Sequence, residues 1–185
     1  MAKNKDNNAT FGMSGRVNQF VFRQRFGETV VSKLPVRTAP YTAAQKNIQS
    51  IFKKASMYAK SILQNAAIKL AYSKKAKRGQ SPYNMALADF FKSPEIVSID
   101  HSGLTAQAGG TISATVIDNF RVEAVKVKIE KGNGSLVEEG NAVQQTDGLT
   151  WVYTTTAAGG NATGNKISIT ATDLPGNKTV EQKTI

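Results

Sequence analysis

The sequence predicts an α+β fold, in which an N-terminal β-hairpin and helices precede a sandwich of seven short β-strands. Apolar residues between positions 42 and 91 recur with the period of a helix, whereas those from position 95 onward alternate with polar residues as in strands. The composition changes between the two regions at Ser93 and Pro94. We therefore predict a disordered arm over residues 1–12, a basic hairpin-and-helix segment over 13–92 and a sandwich over 93–185.

Residues 15–34 are predicted to form the hairpin. Phe20 and Phe22 fall on one face of its first strand, and a turn is indicated at residues 26–28. Because an isolated two-stranded hairpin is only marginally stable in water, we expect it to pack on the helices or on a partner.

The first helix is predicted to begin at Thr42, since Thr42 and Gln45 have the spacing of a capping box. Apolar residues then follow at intervals of three and four, so one helix face is predicted to pack on a core. They are Ala44, Ile48, Ile51, Ala55, Tyr58, Ile62 and Ala66, with Phe52, Ala59 and Leu63 beside them. The helix is expected to continue to the cations before Gly79, and the Ser-Pro pair at 81–82 predicts the start of another.

The second half of the chain predicts strands separated by turn residues. Their centres are near residues 95–99, 112–116, 125–129, 135–137, 150–154, 167–171 and 179–180. Trp151 and Tyr153 alternate with Thr150, Val152 and Thr154, and Trp151 is a candidate core residue. Short strands around one buried tryptophan are typical of an immunoglobulin-like sandwich. The chain has no cysteine, so it lacks the disulfide framework of antibody domains.

Residues 95–185 resemble a bacterial or phage immunoglobulin-like module, close to fibronectin type III. The segment Ala-Thr-Asp-Leu-Pro-Gly-Asn at 171–177 is similar to the Ala-x-Asp-x-x-Gly-Asn corner near the end of such modules. The whole chain resembles uncharacterised small proteins of Bacteroidetes and their phages, in which a glycine-rich basic hairpin precedes a Thr-x-x-Gln helix and such a sandwich. The resemblance implies the fold and assigns no activity.

The sequence predicts no catalytic site, no cofactor and no metal. His101 is the single histidine, and it has no accompanying base–nucleophile set. The glycine-rich stretch 159–166 differs from a phosphate-binding loop, because no Ser or Thr follows Lys166 and no helix is expected after it. Aspartates at strand ends suit turn geometry, and a structural calcium ion is the weaker alternative for them. We expect a non-enzymatic protein without a small-molecule substrate.

Charge is distributed unevenly along the chain, whose formal net charge is +11. Residues 1–92 carry 17 Lys and Arg and 3 acids, hence +14, whereas residues 93–185 carry 7 and 10, hence −3. A solvated helix face is one interpretation, but such faces ordinarily mix both signs, so an anionic partner is favoured. The candidate contact residues are Arg16, Arg23, Arg25, Arg37, Lys53, Lys54, Lys74, Lys75, Lys77 and Arg78.

Two functions fit this pattern. The first is a virion-associated phage component, such as an auxiliary capsid, head or neck protein, whose basic half docks on a capsid-like or homo-oligomeric assembly. The alternative is a cytoplasmic protein of the nucleoid or ribosome that binds the nucleic-acid backbone without sequence specificity. Phe20, Phe22, Phe26 and Tyr41 would then stack on bases, although core packing is favoured for them.

The location expected from the sequence is the virion or the cytoplasm. The polar residues 1–8 do not form a signal peptide, and no apolar run approaches the roughly 18 residues of a membrane span. A membrane partner is therefore not expected.

Overall fold

The computed structural model describes residues 2–4, 10–36 and 38–185. Within them lie three helices and three four-stranded antiparallel sheets, an α+β fold as predicted. Arg37 and residues 5–9 of the predicted arm lie outside the described part. The helices are α1 (Ala43–Ile62), α2 (Ala66–Lys75) and α3 (Pro82–Phe91).

The N-terminal sheet contains the predicted hairpin. Its strands are β1 (Ala2–Asn4), β2 (Gly15–Val17), β3 (Phe20–Arg25) and β4 (Glu28–Lys33), in the order β1-β4-β3-β2. Phe26 and Gly27 join β3 to β4 and have φ angles of 55° and 84°, as a two-residue turn of the I′ type requires. Residues 2–4 belong to the arm that is predicted to be disordered, but they form the strand β1. This strand pairs antiparallel with β4, because the edge of β4 offers unpaired backbone groups.

The start of α1 follows the prediction, whereas its expected continuation is interrupted. The capping box is formed: the Gln45 N–H donates to Thr42 Oγ1 at 3.2 Å, and the Thr42 N–H donates to Gln45 Oε1 at 3.1 Å. The helix ends at Ile62, and Asn65 begins a new one. Its Oδ1 accepts from the Ala67 N–H at 3.0 Å and also from the next N–H, so two orphan donors of α2 are satisfied.

The loop between α2 and α3 contacts the tip of the hairpin. Gly79 has a φ of +82°, and a Cβ atom there would lie 2.0 Å from Phe26 Cε1. Glycine is therefore favoured at this position by both backbone conformation and close approach. α3 begins as predicted, with Pro82 in its first turn and Ser81 Oγ accepting from the Asn84 N–H at 3.2 Å.

The second half forms two four-stranded sheets. Their strands are β5 (Glu95–Asp100), β6 (Thr111–Ile117), β7 (Val122–Glu130), β8 (Leu136–Asn141), β9 (Val143–Gln144), β10 (Thr150–Thr154), β11 (Lys166–Asp173) and β12 (Lys178–Thr184). The sheet orders are β5-β6-β10-β9 and β12-β11-β7-β8. This half thus has eight strands rather than seven, because the segment predicted near 135–137 extends to Asn141 and β9 follows it.

The two sheets share one apolar core. It is built from Ile96, Ile112, Ala114, Val116, Trp151 and Tyr153 of the first sheet, Val125, Val127, Ile129, Ile167, Ile169 and Ala171 of the second, and Ala142. Trp151 is only 7% exposed, as expected of the candidate core residue.

The apolar stripe of α1 is buried only in its second half. Ala55 and Ala59 are fully buried, whereas Ile48 is 65% exposed and Phe52 is 50% exposed. The first turns of α1 are exposed because α3 is too short to cover them. α3 has 10 residues and α1 has 20, and the last residue of α3, Phe91, lies beside Phe52. The prediction that the whole stripe packs on the core is therefore wrong for the first turns of α1.

Candidate docking surface

The stretch from residue 29 to residue 88 contains no Asp or Glu and has eleven Lys and Arg. Cations on α1 and α2 consequently have no carboxylate partner within their own helices. In the sandwich, by contrast, Lys128 Nζ lies 2.7 Å from Glu130 Oε1 and Lys126 Nζ lies 3.0 Å from Glu139 Oε1. The helical stretch therefore keeps its positive charge available to an anionic partner.

The predicted contact residues fall into three groups. Arg16, Arg23 and Arg25 lie on the N-terminal sheet; Lys53 and Lys54 lie on α1; Lys74, Lys75, Lys77 and Arg78 lie at the end of α2 and in the loop after it. These nine residues are exposed, and Arg37 is outside the described part.

The hairpin tip brings two of these groups together. The Arg25 guanidinium carbon lies 5.7 Å from the centroid of the Phe26 ring, a cation–π distance. Phe26, Glu28 and Arg78 border the same surface depression. Arg25 of the N-terminal sheet and Arg78 of the α2–α3 loop thus lie near one exposed aromatic ring, together with the carboxylate of Glu28.

Lys75 differs from the other predicted contact residues. Its ammonium group donates to the carbonyl oxygen of Phe120 and lies 5.3 Å from the centroid of the Phe120 ring. Lys75 therefore holds α2 on the sandwich, and its charge is engaged within the chain.

Three of the four aromatic residues considered for base stacking are more exposed than core packing predicts. Phe20 is 45%, Phe26 57% and Tyr41 44% exposed, while Phe22 is half-buried. Core packing therefore does not account for Phe20, Phe26 and Tyr41.

The helices and the sandwich meet at a second apolar core. The rings of Tyr72 and Phe120 stack with their centroids 3.8 Å apart and an interplanar angle of 20°. Phe120, from the loop before β7, is 7% exposed and packs together with Ala59, Tyr72 and Ala86. A single aromatic residue of the sandwich thus completes the core of the helical segment.

The corner at 171–177 makes a second connection to the helices. The Asn177 side-chain amide donates to the carbonyl oxygens of Asp89 at 3.3 Å and Phe90 at 3.2 Å, and to Asp173 Oδ2 at 2.7 Å. The last carbonyls of a helix lack partners within it. The corner therefore caps α3 as well as turning the chain from β11 to β12.

A buried carboxyl group lies at this junction. Asp89 is fully buried; the Tyr72 hydroxyl donates to its Oδ2 at 2.7 Å, and its Oδ1 has no hydrogen-bond partner among the described residues. Burial raises the pKa of Asp89 to about 7, and the negative charges of Asp118 and Asp173 raise it further. The hydrogen bond from Tyr72 and the positive charge of Lys75 oppose this rise.

The sequence analysis includes Asp89 only as one of the three acids in residues 1–92. The spacing of Asp89 from nearby apolar residues is the signal that indicates its burial. Asp89 follows Met85 and Ala86 by four and three residues, which places it on the same face of α3 as apolar residues.

The described part of the chain offers no group of three or more His, Asp or Glu side chains suited to a metal ion. Its helices also include none with the length and apolar character needed to cross a bilayer.

An isolated fragment of residues 93–185 is expected to unfold cooperatively and to have a β-type circular dichroism spectrum, because the two sheets share a core of their own. Removing the helices uncovers Phe120. The same fragment with Phe120→Ser is therefore a matched control, and we expect it to be at least as soluble. A random-coil spectrum for both fragments would show that the sandwich depends on the helices.

No protein-family model matches the chain, and no curated protein matches it significantly. Among solved structures, CopC from Methylosinus trichosporium OB3b is 18% identical with a TM-score of 0.36, over 49% of this chain and 88% of that chain. An engineered protein is 17% identical with a TM-score of 0.35, over 60% of this chain and 30% of that one. Similarities of this size support no conclusion about function.

Proposed function

We propose that this chain is a non-enzymatic structural protein, whose basic N-terminal half docks on an anionic surface of a larger assembly and displays an immunoglobulin-like domain. The observation that carries the proposal is the stretch 29–88, with eleven cations and no acid. The ten of these cations that lie among the described residues are all exposed, and Lys75 also donates to the carbonyl oxygen of Phe120. A charge excess of this kind attracts anions and repels further cations.

The strand order supports an immunoglobulin-like assignment for the displayed domain. The order β5-β6-β10-β9 corresponds to A-B-E-D of that fold, and β12-β11-β7-β8 corresponds to G-F-C-C′. One departure is the tryptophan: Trp151 lies on β10, the E position, whereas antibody domains carry theirs on strand C.

The assembly we propose is a phage particle, in which the chain serves as an auxiliary capsid, head or neck component. The resemblance of residues 95–185 to phage immunoglobulin-like modules supports this choice, as does the division of the chain into a docking half and a mildly acidic half. A simple check is the gene neighbourhood, which should encode capsid, portal and tail proteins.

The alternative is a cytoplasmic protein that binds nucleic acid without sequence specificity. The observation that favours it is the exposed Phe26 ring, which lies 5.7 Å from the Arg25 guanidinium carbon and borders a depression with Arg78 and Glu28. Aromatic faces among cations are the usual means of holding single-stranded nucleic acid.

A salt titration distinguishes the two functions. If the partner is nucleic acid, affinity for random-sequence duplex DNA should fall with a log–log slope near −5 for about six phosphate contacts. Changing Lys74, Lys77 and Arg78 to glutamate should then flatten the slope by roughly 2–3. Lys75 is left unchanged because it holds Phe120. Fluorescence anisotropy of labelled DNA provides the measurement.

A matched control changes Lys131, Lys166 and Lys178 of the sandwich to glutamate, which alters the net charge equally and should leave the slope unchanged. Micromolar binding with a steep slope would favour the nucleic-acid alternative over docking on a protein assembly. No binding at low salt would eliminate nucleic acid. Binding that survives the change at residues 74, 77 and 78 would identify that cluster as an ordinary solvated helix end.

A further inference from the structure

The first turns of α1 carry an apolar stripe that the described part of the chain leaves uncovered. Ile48 is 65% exposed, Ile51 37% and Phe52 50%. These residues continue the face that is buried further along the same helix at Ala55 and Ala59. The stripe is thus a core-forming surface without its second layer.

The position of α3 explains why the stripe is open at this end. α3 packs against the second half of α1, where the Tyr58 and Phe90 rings lie 5.5 Å apart, and it ends where Phe91 lies 6.3 Å from Phe52. About nine residues of α1 extend past that point, a length of roughly 13 Å. A partner helix of two to three turns would fit along α1 in line with α3.

The rim of the open stripe is basic. Lys54 follows Ile51 by three residues, which makes the two neighbours on the helix surface, and Lys92 directly follows Phe91. Both lysines are exposed, and the stretch 29–88, which contains Lys54, has no acid to neutralise it. A second copy of this chain would bring cations against cations, so charge favours a different, acidic partner.

We infer that the open stripe of α1 is the docking site for an acidic amphipathic helix of a partner protein. Apolar anchors of that helix would cover Ile48, Ile51 and Phe52, and its carboxylates would face Lys54 and Lys92, the helix-in-groove mode of recognition. The inference rests on the proposed docking function and specifies the chemistry of the partner. Phosphates of nucleic acid would satisfy the lysines but would leave the isoleucines in water.

Two synthetic helical peptides test this inference on the full chain. Both carry leucines at i, i+3, i+4 and i+7; one has glutamates at the remaining positions and the other has lysines. We expect the glutamate peptide to bind at micromolar concentration and the lysine peptide to bind at least about ten-fold more weakly. Isothermal titration calorimetry reports both affinities.

Variants assign the binding to this face. The double change Ile48→Gln and Ile51→Gln should lower the affinity for the glutamate peptide about ten-fold or more, because two apolar contacts are lost. Met57→Gln is the matched control: Met57 is 63% exposed and lies nine residues after Ile48, on the opposite side of α1. It should change the affinity by less than about two-fold. Thermal melts should be unchanged for Met57→Gln and should shift only slightly for the Ile48/Ile51 variant, in which Ile51 is 37% exposed.

Other outcomes overturn the inference. If the wild type self-associates in analytical ultracentrifugation and the Ile48/Ile51 variant does not, a second copy covers the stripe. Equal binding of both peptides, or equal loss with Met57→Gln, would remove the site. Binding of poly-glutamate without binding of either peptide would leave the proposed docking function standing and reject this partner.

Discussion

Replacement of Trp151 by alanine is expected to lower the free energy of unfolding by about 3–5 kcal/mol. The indole ring is 7% exposed in the sandwich core, and its residue pairs with Ala114 of β6 and Gln144 of β9. Its Nε1 atom has no hydrogen-bond partner among the described residues, so the loss is one of packing and not of a polar contact. Urea denaturation followed by far-ultraviolet circular dichroism measures it.

Trp151→Phe is the matched control, since it keeps an aromatic ring and loses volume only. It should cost clearly less than the alanine variant. A loss below about 1 kcal/mol for Trp151→Ala would place the ring at the surface and contradict the packing of the two sheets.

The second large effect concerns Asp89 and pH. We expect the free energy of unfolding to decrease as the pH rises from about 4 to about 7, by up to roughly 1 kcal/mol per pH unit. The pKa of Asp89 is about 7 in the folded chain and 3.8 ordinarily. Below the lower value both states hold the proton; above it the unfolded state releases the proton first, so stability is lost until the folded state is also ionised.

Asp89→Asn should remove most of this dependence. The amide is neutral at every pH and can still accept from the Tyr72 hydroxyl, so the variant should be more stable than the wild type at pH 8. Burial also raises the pKa of Asp173, which adds to the same trend at the acidic end. The pKa values of Asp147 and Glu138 are lowered, so these two carboxyl groups make the free energy of unfolding rise with pH. Their effect falls at a lower pH than that of Asp89.

The control for this experiment is His101→Gln, which removes the single histidine of the sequence. Stability should be measured by urea denaturation at several pH values in both backgrounds. Parallel curves for the wild type and Asp89→Asn would show that Asp89 is not the group responsible, and a curve flattened by His101→Gln would assign the effect to the histidine.

Local signals of the sequence predicted the local structure well. The capping box at Thr42 and Gln45, the Ser-Pro helix start and the alternating strands each depend on neighbouring residues, and all are present. The break at Asn65 is not predicted, because the apolar residues on either side of this asparagine keep the spacing of a continuous helix. The pairing of β1 with β4 depends on a contact between distant residues, which no local pattern encodes.

The functional surface was only partly predictable. The lysines and arginines identify a basic half, but composition does not reveal which of them forms contacts within the chain. Lys75 does so, by donating to the carbonyl oxygen of Phe120. The open stripe of α1 looked like a core face because the periodicity of a helix does not report the length of its neighbour. The position of Asp89 on the apolar face of α3 is visible in its spacing from Met85 and Ala86, but the hydrogen bond from Tyr72 of α2 is not encoded by any local pattern.

The dependence of α3 on the corner at Asn177 has a consequence for synthesis on the ribosome. Asn177 follows Asp89 by 88 residues, so at about 5–20 residues per second roughly 4–18 s pass before the corner can cap the helix. For the first roughly 2–6 s of that interval the helices also lack Phe120, which follows Asp89 by 31 residues. We expect the basic half to emerge as a nascent segment open to chaperones and to premature partners, and to become fixed only when the last two strands have left the exit tunnel.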